Sequence, residues 1–441
     1  MYLVKGYVAI ITLGCSKNEI DSDIMMGILE KCGFKSTTNL ENADIIIINT
    51  CGFINDAKEE SIEVIWEMTK YKTYGKCKHL ILAGCLAERY PRELIDEIDE
   101  VDAIIGTGNI KNIASLIEEL DSNDKIIKTG YIEEINRNKF NYSAYVKISE
   151  GCNNNCSYCI IPKLRGKYRS RNMENIIKEV KYLVNNGVKE VILIGQNTTD
   201  YGIDIYGEYK LPDLLNELNK IEGLEWIRML YMYPDHFNDD LIKSIKENDK
   251  VVKYVDIPIQ HINNNILSLM NRKTDKKSII KLIDKLRKEI PSIIIRTTII
   301  VGFPGEQDEH FNELYEFVKE IKFDRLGVFT YSREEGTKSY NLNDQVDEKI
   351  SELRRNKLME LQQIISLEKN REKIGKVFKV LVEEILDDNT YSGRTYMDSP
   401  DIDGVVYFNS EKKFNSGDFA CVKIEDCLEY DLMGALENEY C

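Results

Sequence analysis

The chain has 441 residues, of which 43% are hydrophobic and 30% are charged, and its formal net charge is −16. This length exceeds that of one ordinary domain, and the apolar fraction is enough to fill a sizeable core. The negative charge argues against a sequence-blind grip on nucleic-acid phosphates and suits a basic partner. No apolar run reaches the length of a membrane span, and the N-terminus lacks the layout of a signal peptide, so we expect a cytoplasmic protein without membrane attachment.

Eleven cysteines are present but only four histidines. An odd number of cysteines in so long a chain argues against a small disulfide-stapled scaffold. In a reducing compartment, clustered thiols are more often metal ligands. Because the histidines are widely scattered, any metal chemistry should depend on thiolates.

The first part of the chain, residues 1–125, alternates strand-like and helix-like segments. Three continuous apolar runs, residues 8–13, 43–49 and 80–83, are typical of parallel strands buried on both faces. A cysteine follows the end of each run: Cys15, Cys51 and Cys85. Because the carboxyl ends of parallel strands lie along one edge of a sheet, these cysteines should converge into a metal site. Three buried core cysteines are the alternative interpretation.

A second cysteine group follows a strand-like segment at residues 144–148. Three thiols stand within eight residues: Cys152, Cys156 and Cys159. This spacing lets a short loop wrap one face of an iron–sulfur cube, with each thiolate on a different iron and the fourth iron open to a non-protein ligand. A zinc site is the alternative, but zinc usually takes four ligands, and no further Cys or His stands nearby. Tyr158 offers an aromatic wall beside the last thiol.

From residue 142 the pattern becomes repeated strand–helix units. Five strand candidates follow the cysteine loop: residues 191–194, 226–232, 254–259, 293–301 and 325–330. With the strand before the loop they make six units, a partial α/β barrel whose ligands should lie at the carboxyl ends of the strands. The residues at or near those ends are candidate cofactor contacts: Gln196, Arg228, Gln260, Gly302 and Glu306. Each alone is a weak signal, and His261 is more often structural than a ligand, but their shared position favours a cofactor pocket.

A charged helix from Asp347 to about Lys373, with one packed apolar face, should lead out of the barrel. Residues 374–441 then alternate short strands and turns, which predicts a small β-barrel. This segment has six Lys or Arg against fifteen Asp or Glu. Its acidic side chains, concentrated at 383–388 and 398–403, should attract a basic protein rather than RNA. A solubilising surface is the alternative interpretation.

In its Cys-x3-Cys-x2-Cys motif the chain resembles the radical S-adenosylmethionine enzymes. In the order of its parts it resembles the methylthiotransferase family along nearly its whole length. The resemblance implies an α/β protein with a parallel three-cysteine domain at 1–125, a partial (βα)6 radical S-adenosylmethionine barrel at 138–373 and a TRAM β-barrel at 374–441. The segments similar to the RimO-type branch are residues 12–18 (TLGCSKN), 51–54 (CGFI), 84–90 (GCLAERY), 148–152 (ISEGC) and 398–404 (DSPDIDG). Asn197 stands where the family pattern has Asp, which leaves the role of that side chain open.

The resemblance implies a transferase that adds a methylthio group to the β-carbon of an aspartate in small-subunit ribosomal protein number twelve. It implies two [4Fe–4S] clusters, one on each cysteine triplet, with S-adenosylmethionine on the open iron of the catalytic triplet Cys152, Cys156 and Cys159. A reductant such as flavodoxin or ferredoxin and a monomeric state are expected. The alternatives are a tRNA adenosine methylthiotransferase and a non-catalytic iron–sulfur carrier, the latter disfavoured by a barrel mouth equipped for a cofactor.

Overall fold

The computed structural model describes residues 4–120, 125–129 and 141–437. The expected irregular stretch at 121–141 lies mostly outside these residues, as do the expected domain limits at residues 1, 138 and 441. Within that stretch, Ile126–Lys128 is a strand rather than irregular chain.

The N-terminal unit is a parallel sheet of six strands covered by helices. The strands are β1 Gly6–Thr12, β2 Phe34–Ser36, β3 Ile45–Thr50, β4 His79–Ala83, β5 Ala103–Ile105 and β6 Ile126–Lys128. The helices are α1 Ser16–Lys31, α2 Asn55–Tyr74, α3 Gly84–Arg89, α4 Pro91–Glu97 and α5 Ile113–Leu120. The strand order is β2-β1-β3-β4-β5-β6, so the three strands that precede the cysteines are neighbours. The sequence pattern detected these three and missed the others, each of only three residues.

The central unit has six parallel strands in two sheets, with order β11-β10-β7 and β12-β13-β14. The strands are β7 Ser143–Lys147, β10 Glu190–Ile194, β11 Trp226–Met229, β12 Tyr254–Asp256, β13 Ile294–Val301 and β14 Arg325–Thr330, and the short pair β8 Ser149–Glu150 and β9 Arg169–Ser170 flanks the cysteine loop. Between the two sheets the described chain has an isolated bridge from Ile227 of β11 to Val251, which lies three residues before β12. The prediction of a partial six-strand barrel is therefore confirmed, with a break between its halves.

Helices cover the outside of the barrel and bury a continuous apolar core against it. They are α6 Ile161–Leu164, α7 Met173–Asn185, α8 Ile203–Tyr206, α9 Leu211–Asn219, α10 Asp239–Glu247, α11 Asn264–Leu269, α12 Lys276–Glu289, α13 Asp308–Ile321 and α14 Glu348–Arg371. The exit helix α14 buries Leu358 and Ile365, but Leu353 and Ile364 are 55% and 59% exposed. The single apolar face expected for this helix is therefore narrower than its sequence pattern indicated.

The C-terminal unit is a closed five-stranded barrel in the order β15-β16-β17-β19-β18, as the sequence predicted. Its strands are β15 Val377–Ile385, β16 Thr390–Arg394, β17 Val406–Asn409, β18 Phe419–Cys427 and β19 Leu432–Leu436. Tyr391, Phe408 and Phe414 meet inside it with ring centroids 5.4 to 6.0 Å apart. Closure removes the unpaired strand edges that a small sheet would otherwise expose.

Both outer units pack directly on the central barrel. From the N-terminal unit, Asp21 of α1 accepts a 2.7 Å hydrogen bond from Lys147 at the end of β7. From the C-terminal unit, Arg394 donates a 2.7 Å hydrogen bond to Glu190 at the start of β10. Over the described parts of the chain, no helix combines the length and apolar composition that crossing a membrane requires.

Candidate functional site

The topology of the N-terminal sheet brings Cys15, Cys51 and Cys85 to one edge. Cys15 caps the start of α1, Cys51 follows β3, and Cys85 lies in the first turn of α3. Gly14 has φ +91°, and a Cβ atom there would lie 2.8 Å from the Cβ and 3.0 Å from the Sγ of Cys51. Only glycine allows this approach, because the backbone is left-handed and the space is filled. The expected convergence of the three strand ends is therefore present.

The thiols of this N-terminal triplet differ in electrostatic surroundings. Burial raises the pKa of Cys51 to about 11 and also raises the pKa of Cys85. Crowding by protein atoms would raise the pKa of Cys15 as well, but the positive charges of Lys17 and Arg165 outweigh it and lower that pKa. Arg165 also lies with Nη2 3.5 Å from the Sγ of Cys85. A cationic surrounding of this kind stabilises thiolates, the form that binds iron.

The barrel triplet stands on a loop clamped to the barrel. Gly151 has φ +75°, and a Cβ atom there would lie 2.2 Å from the carbonyl oxygen of Lys167. Ser157 donates from its backbone to the carbonyl of Met270 at 3.0 Å and from its hydroxyl to the carbonyl of Leu269 at 2.7 Å. These bonds hold the loop across the carboxyl ends of the strands, so its thiols have a defined position.

Burial dominates the electrostatics of the barrel triplet. It raises the pKa of Cys152 to about 11, with a further contribution from the neighbouring Cys156 thiolate. Burial, together with Cys156 and Cys152, also raises the pKa of Cys159. Thiols that disfavour one another's charge need a cation or a metal centre to ionise together.

Two residues beside this triplet were not among the predicted cofactor contacts, Tyr233 and Arg272. The Tyr233 hydroxyl and the Arg272 Nη1 each lie 3.9 Å from the Sγ of Cys156. The guanidinium of Arg272 stacks 3.9 Å from the centroid of the Tyr233 ring. Tyr233 directly follows the predicted strand 226–232, so its place at a strand end was the available signal, whereas Arg272 belongs to a loop with no motif.

The two thiol triplets are neighbours. Cys85 of the first packs against Ile160 and Leu164, and Ile160 directly follows the last cysteine of the second. Arg165 completes this junction, since it contacts Cys85 and donates to Glu150 at 3.1 Å. The prediction from sequence placed the two groups in separate domains and said nothing of their proximity.

A buried charge network supports the junction. Lys147 lies 2.7 Å from Asp21 and 2.8 Å from Glu150, and Gln196 donates to Glu150 at 2.7 Å. Although burial opposes it, the positive charges of Lys147 and Arg165 hold the pKa of Glu150 well below its usual range. Glu150 thus ties the cysteine loop to the barrel, and its partners Lys147 and Arg165 extend the network to Asp21 of the N-terminal unit.

The donor set fits iron–sulfur clusters better than a single ion. Across the residues that the structure describes, no three His, Cys, Asp or Glu side chains surround one point where a metal ion could sit. A [4Fe–4S] cube does not need such a point, because each thiolate binds a different iron and the thiols stay further apart. A soft all-thiolate set is also what such clusters prefer.

Two predicted cofactor contacts carry unsatisfied buried oxygens. The side-chain carbonyls of Gln196 and Gln260 are buried and have no hydrogen-bond partner within the described chain. Gln260 also adopts φ +71°, an uncommon conformation that aims the residue away from an ordinary strand path. Orphaned buried acceptors at strand ends are what a polar ligand would satisfy. Tyr158 stands nearby in the apolar wall, 6.5 Å from the ring of Phe303.

Arg228 lies away from the expected pocket. It is fully buried inside the barrel, where it donates to Glu190 at 2.8 Å and to the carbonyl of Tyr396 at 3.0 Å. Its guanidinium therefore serves the contact with the C-terminal unit. The prediction of Arg228 as a cofactor contact is corrected accordingly.

Glu306 is also occupied by the protein itself. Its carboxylate accepts a 3.0 Å hydrogen bond from the backbone of Gly302 and a 2.9 Å bond from Arg354. His261 lies 3.6 Å away, which agrees with a structural role for this histidine. Glu306 thus fixes the Gly302 turn, and we correct its predicted cofactor contact to this indirect role.

Asn197 is buried and accepts a 2.6 Å hydrogen bond from the hydroxyl of Thr199. An aspartate could accept the same bond, so the departure from the family pattern leaves the local structure intact.

Three known protein families match parts of this chain. The Radical SAM superfamily matches residues 146–318, the uncharacterized protein family UPF0004 matches 7–106 and the TRAM domain matches 374–436. The barrel and its thiol triplet thus define a radical S-adenosylmethionine protein with two accessory units.

Relatives over the full length identify the family. A ribosomal protein uS12 methylthiotransferase RimO from Thermoanaerobacter sp. (strain X514) is 51% identical over 97% of this chain and 99% of its own length. The corresponding proteins of Clostridioides difficile (strain 630) and Clostridium perfringens (strain 13 / Type A) are 51% and 49% identical, over 97% and 100% of this chain and 98% and 100% of their own lengths. The chain belongs to the RimO family.

Solved structures support the fold alone. The radical S-adenosylmethionine methyltransferase TsrM from Kitasatospora setae matches with a TM-score of 0.56 at 13% identity, over 74% of this chain and 73% of that one. The cobalamin-dependent S-adenosylmethionine radical enzyme OxsB matches with a TM-score of 0.51 at 12% identity, over 82% of this chain and 56% of that one.

Proposed function

We propose that this protein is a radical S-adenosylmethionine methylthiotransferase that adds a methylthio group to the β-carbon of an aspartate in ribosomal protein uS12. The observation that carries the proposal is identity of about one half to RimO proteins over nearly the whole chain. The adjacency of two thiol triplets at the barrel mouth supports it independently, because sulfur insertion needs a radical source and a sulfur source close together.

The reaction explains why the site is built from thiols. The β-carbon of an aspartate holds its hydrogens too tightly for any side-chain base at neutral pH, because the pKa values cannot be matched. A cluster held by Cys152, Cys156 and Cys159 together with S-adenosylmethionine would supply, on reduction, a carbon radical able to remove such a hydrogen. The chain's own residues must hold these groups, orient the substrate and exclude water.

We assign these tasks to particular residues. Cys152, Cys156 and Cys159 would hold the cluster that binds S-adenosylmethionine, and Cys15, Cys51 and Cys85 would hold the second cluster. Gln196 and Gln260 would bind polar groups of the cofactor through their orphaned oxygens.

The surroundings of the cofactor follow from the same structure. The backbone at Gly302, held by Glu306, would border the cofactor, and Tyr158 with Phe303 would exclude water from one side. The fully buried Phe303 packs on Ile266 and Met270, so this wall is rigid.

Several finer statements belong to the same proposal. We infer a cytoplasmic monomer that takes electrons from a flavodoxin or a ferredoxin. We also propose that the functional domains span 1–125, 138–373 and 374–441, as the sequence indicates. The negative charge of the chain suits encounter with a basic ribosomal protein.

Mass spectrometry of cells that lack this protein tests the proposal. Without this protein, the aspartate of ribosomal protein uS12 should lack the methylthio group, and the mass of uS12 should be lower by about 46 Da. The tRNA nucleosides should stay unchanged. A plasmid copy should restore the modification, and a copy with Cys152→Ala should not. Loss of methylthiolated adenosine from tRNA, with uS12 unaffected, would overturn the proposal in favour of a tRNA enzyme.

A further inference from the structure

Lys17 is a largely buried cation to which the described residues offer no carboxylate. It is the second residue of α1, and only 6% of its surface is exposed. Its ammonium lies 3.3 Å from the centroid of the Tyr231 ring. Among the described residues its ammonium pairs with no carboxylate, and its favourable contacts are the Tyr231 ring and the Cys15 thiol, whose ionisation its charge favours.

The surrounding cations are all compensated. Lys147 and Arg165 share the carboxylates of Asp21 and Glu150. An ammonium that loses part of its water is stabilised by an anion or by hydrogen bonds, and a cation–π contact replaces only part of that stabilisation. The described part of the chain provides Lys17 with no carboxylate of its own, so its ammonium is available to an anion from outside.

The position of Lys17 links it to both thiol triplets. Lys17 stands two residues after Cys15 in the chain. Tyr231, beneath its ammonium, is fixed at the mouth of the barrel by a 2.9 Å hydrogen bond from its backbone to Asp256. Two residues further on, the hydroxyl of Tyr233 lies 3.9 Å from the Sγ of Cys156. The ammonium therefore lies beside Cys15, where the N-terminal unit faces the mouth of the barrel.

We propose that Lys17 binds the side-chain carboxylate of the substrate aspartate and so determines the choice of substrate. This inference rests on the proposed function, which places an aspartyl β-carbon at the reacting position. The β-carbon is bonded directly to the carboxyl carbon, so a cation that holds the carboxylate also orients the carbon to be modified. A neutral nucleobase offers Lys17 no such charge.

A competing role for Lys17 is to balance the charge of the cluster held by the N-terminal triplet. The two roles differ in whether the effect of replacing Lys17 depends on the charge of the substrate. Charge balance would affect the cluster whatever the substrate carries. Carboxylate binding would matter only when the substrate has a carboxylate, which a double-mutant cycle between enzyme and substrate detects.

The test uses the full-length protein with both clusters reconstituted, with S-adenosylmethionine present and no reductant. Equilibrium binding is measured for uS12 with its natural aspartate and for uS12 with that residue changed to asparagine. The enzymes are the wild type, Lys17→Met, which keeps the side-chain length, and Lys17→Arg, which keeps the charge. Lys31→Met removes an exposed cation from the last turn of the same helix and serves as the matched control.

We expect the wild type to bind the asparagine protein about tenfold more weakly or worse, the usual effect of losing a charged hydrogen bond. Lys17→Met should bind both substrates equally, at the weaker level. Lys17→Arg should keep most of the preference, and Lys31→Met all of it. Iron content, measured on each variant, should stay close to the wild type, so that a change in binding does not reflect loss of a cluster.

Two results would overturn the inference while the proposed function stands. One is a wild-type enzyme that modifies uS12 yet binds the asparagine protein equally well, a result that needs no enzyme variant to fold. The other is a Lys17→Met enzyme that keeps the full preference for aspartate, with or without a shifted cluster potential. A wild-type enzyme that neither binds nor modifies uS12 would instead overturn the proposed function, and this inference with it.

Discussion

Glu306 illustrates, at the scale of a single residue, how a polar side chain near a pocket can act on the backbone. Its carboxylate joins the amide of Gly302 to the guanidinium of Arg354 on α14. Gly302 in turn has φ +72°, and a Cβ atom there would lie 1.9 Å from the hydroxyl oxygen of Ser351. The turn that would border the cofactor is therefore fixed from behind by the exit helix.

Replacement of Gly302 should destabilise the protein before it tests the pocket. Gly302→Ala combines a left-handed backbone with a collision against α14, so we expect a loss of at least about 2 kcal/mol in the free energy of unfolding. Gly187→Ala is the matched control, because Gly187 has φ +97° but nothing within 4 Å of its added Cβ atom. Denaturant unfolding should show a smaller loss of unfolding free energy for the control. Equal losses would mean that α14 shifts away from the added Cβ atom at little energetic cost.

The six cysteines permit a prediction about metal content. Anaerobically reconstituted protein should contain about eight irons, since two [4Fe–4S] clusters are proposed. Replacing Cys152, Cys156 and Cys159 by Ala should halve the iron and abolish reductive cleavage of S-adenosylmethionine. Replacing Cys15, Cys51 and Cys85 should halve the iron but leave some cleavage. Iron analysis and product chromatography provide the measurements.

Two cysteines outside the triplets serve as controls for this experiment. Cys32 directly follows α1, and Cys77 is buried among the apolar residues beneath the N-terminal sheet. Their replacement by Ala should leave the iron content unchanged. Full iron in the Cys15, Cys51 and Cys85 variant would show that convergence of the three strand ends does not create a cluster site.

At the scale of an element, the structure changes the interpretation of the segment 398–404. The sequence suggested an acidic surface that attracts a basic protein. In the structure Asp398 is buried and pairs with Arg325, and Asp403 accepts a 2.7 Å hydrogen bond from the hydroxyl of Tyr254. Two of the three carboxylates thus face the barrel, and Asp401 remains exposed. The expectation that the whole segment forms an acidic surface is wrong, because burial in the contact between units decides where these side chains point.

Charge reversal separates these positions. Asp403→Lys would put a second cation beside Arg296, whose Nε lies 3.7 Å from the Asp403 carboxylate. We expect this variant to lose about 3–5 kcal/mol of stability, the usual cost of breaking a buried ion pair. Asp401→Lys should change stability by less than about 0.5 kcal/mol, because the side chain is exposed. Thermal unfolding of the two variants makes the comparison, and equal melting temperatures would contradict the assigned burial.

At the scale of the whole molecule, Glu190 joins the central barrel to the C-terminal unit. Its two oxygens are fully buried between Arg228 and Arg394. Burial opposes its ionisation, but Arg394 and Arg228 outweigh that effect and lower the pKa of Glu190 to about 2. Since the usual value is 4.5, the ionised carboxylate stabilises the folded state above that pH, and this contribution is lost as the pH falls towards about 2.

The comparison of the wild type with Glu190→Gln tests this dependence. At about pH 7 the variant should be less stable by about 3 kcal/mol, because two buried guanidinium groups lose their counter-charge. The difference between the two proteins should shrink as the pH falls from about 4.5 towards 2. Urea unfolding at several pH values supplies the measurement, and taking the difference cancels the titration of the other carboxylates. A difference that stays constant with pH would contradict the assigned ionisation of Glu190.

The sequence alone determined the features that depend on local pattern. Continuous apolar runs of the length typical of buried strands indicated β1, β3 and β4. The spacing of Cys152, Cys156 and Cys159 indicated the cysteine loop. Both signals lie in residues that are close together in the sequence. The rule that parallel strands end at one edge extended this to the N-terminal thiol triplet. Strands of three residues carry too little pattern to be detected.

Tertiary structure decided which side chains serve the site and which serve the fold. Arg228 and Glu306 have polar groups at suitable positions along the chain, but packing commits them to Glu190 and to Arg354. Arg272 reaches Cys156 across 116 residues of sequence, and Lys17 meets Tyr231 from another unit. Contacts of this range depend on how the units pack, and side-chain identity at one position does not encode which partner will occupy the space opposite.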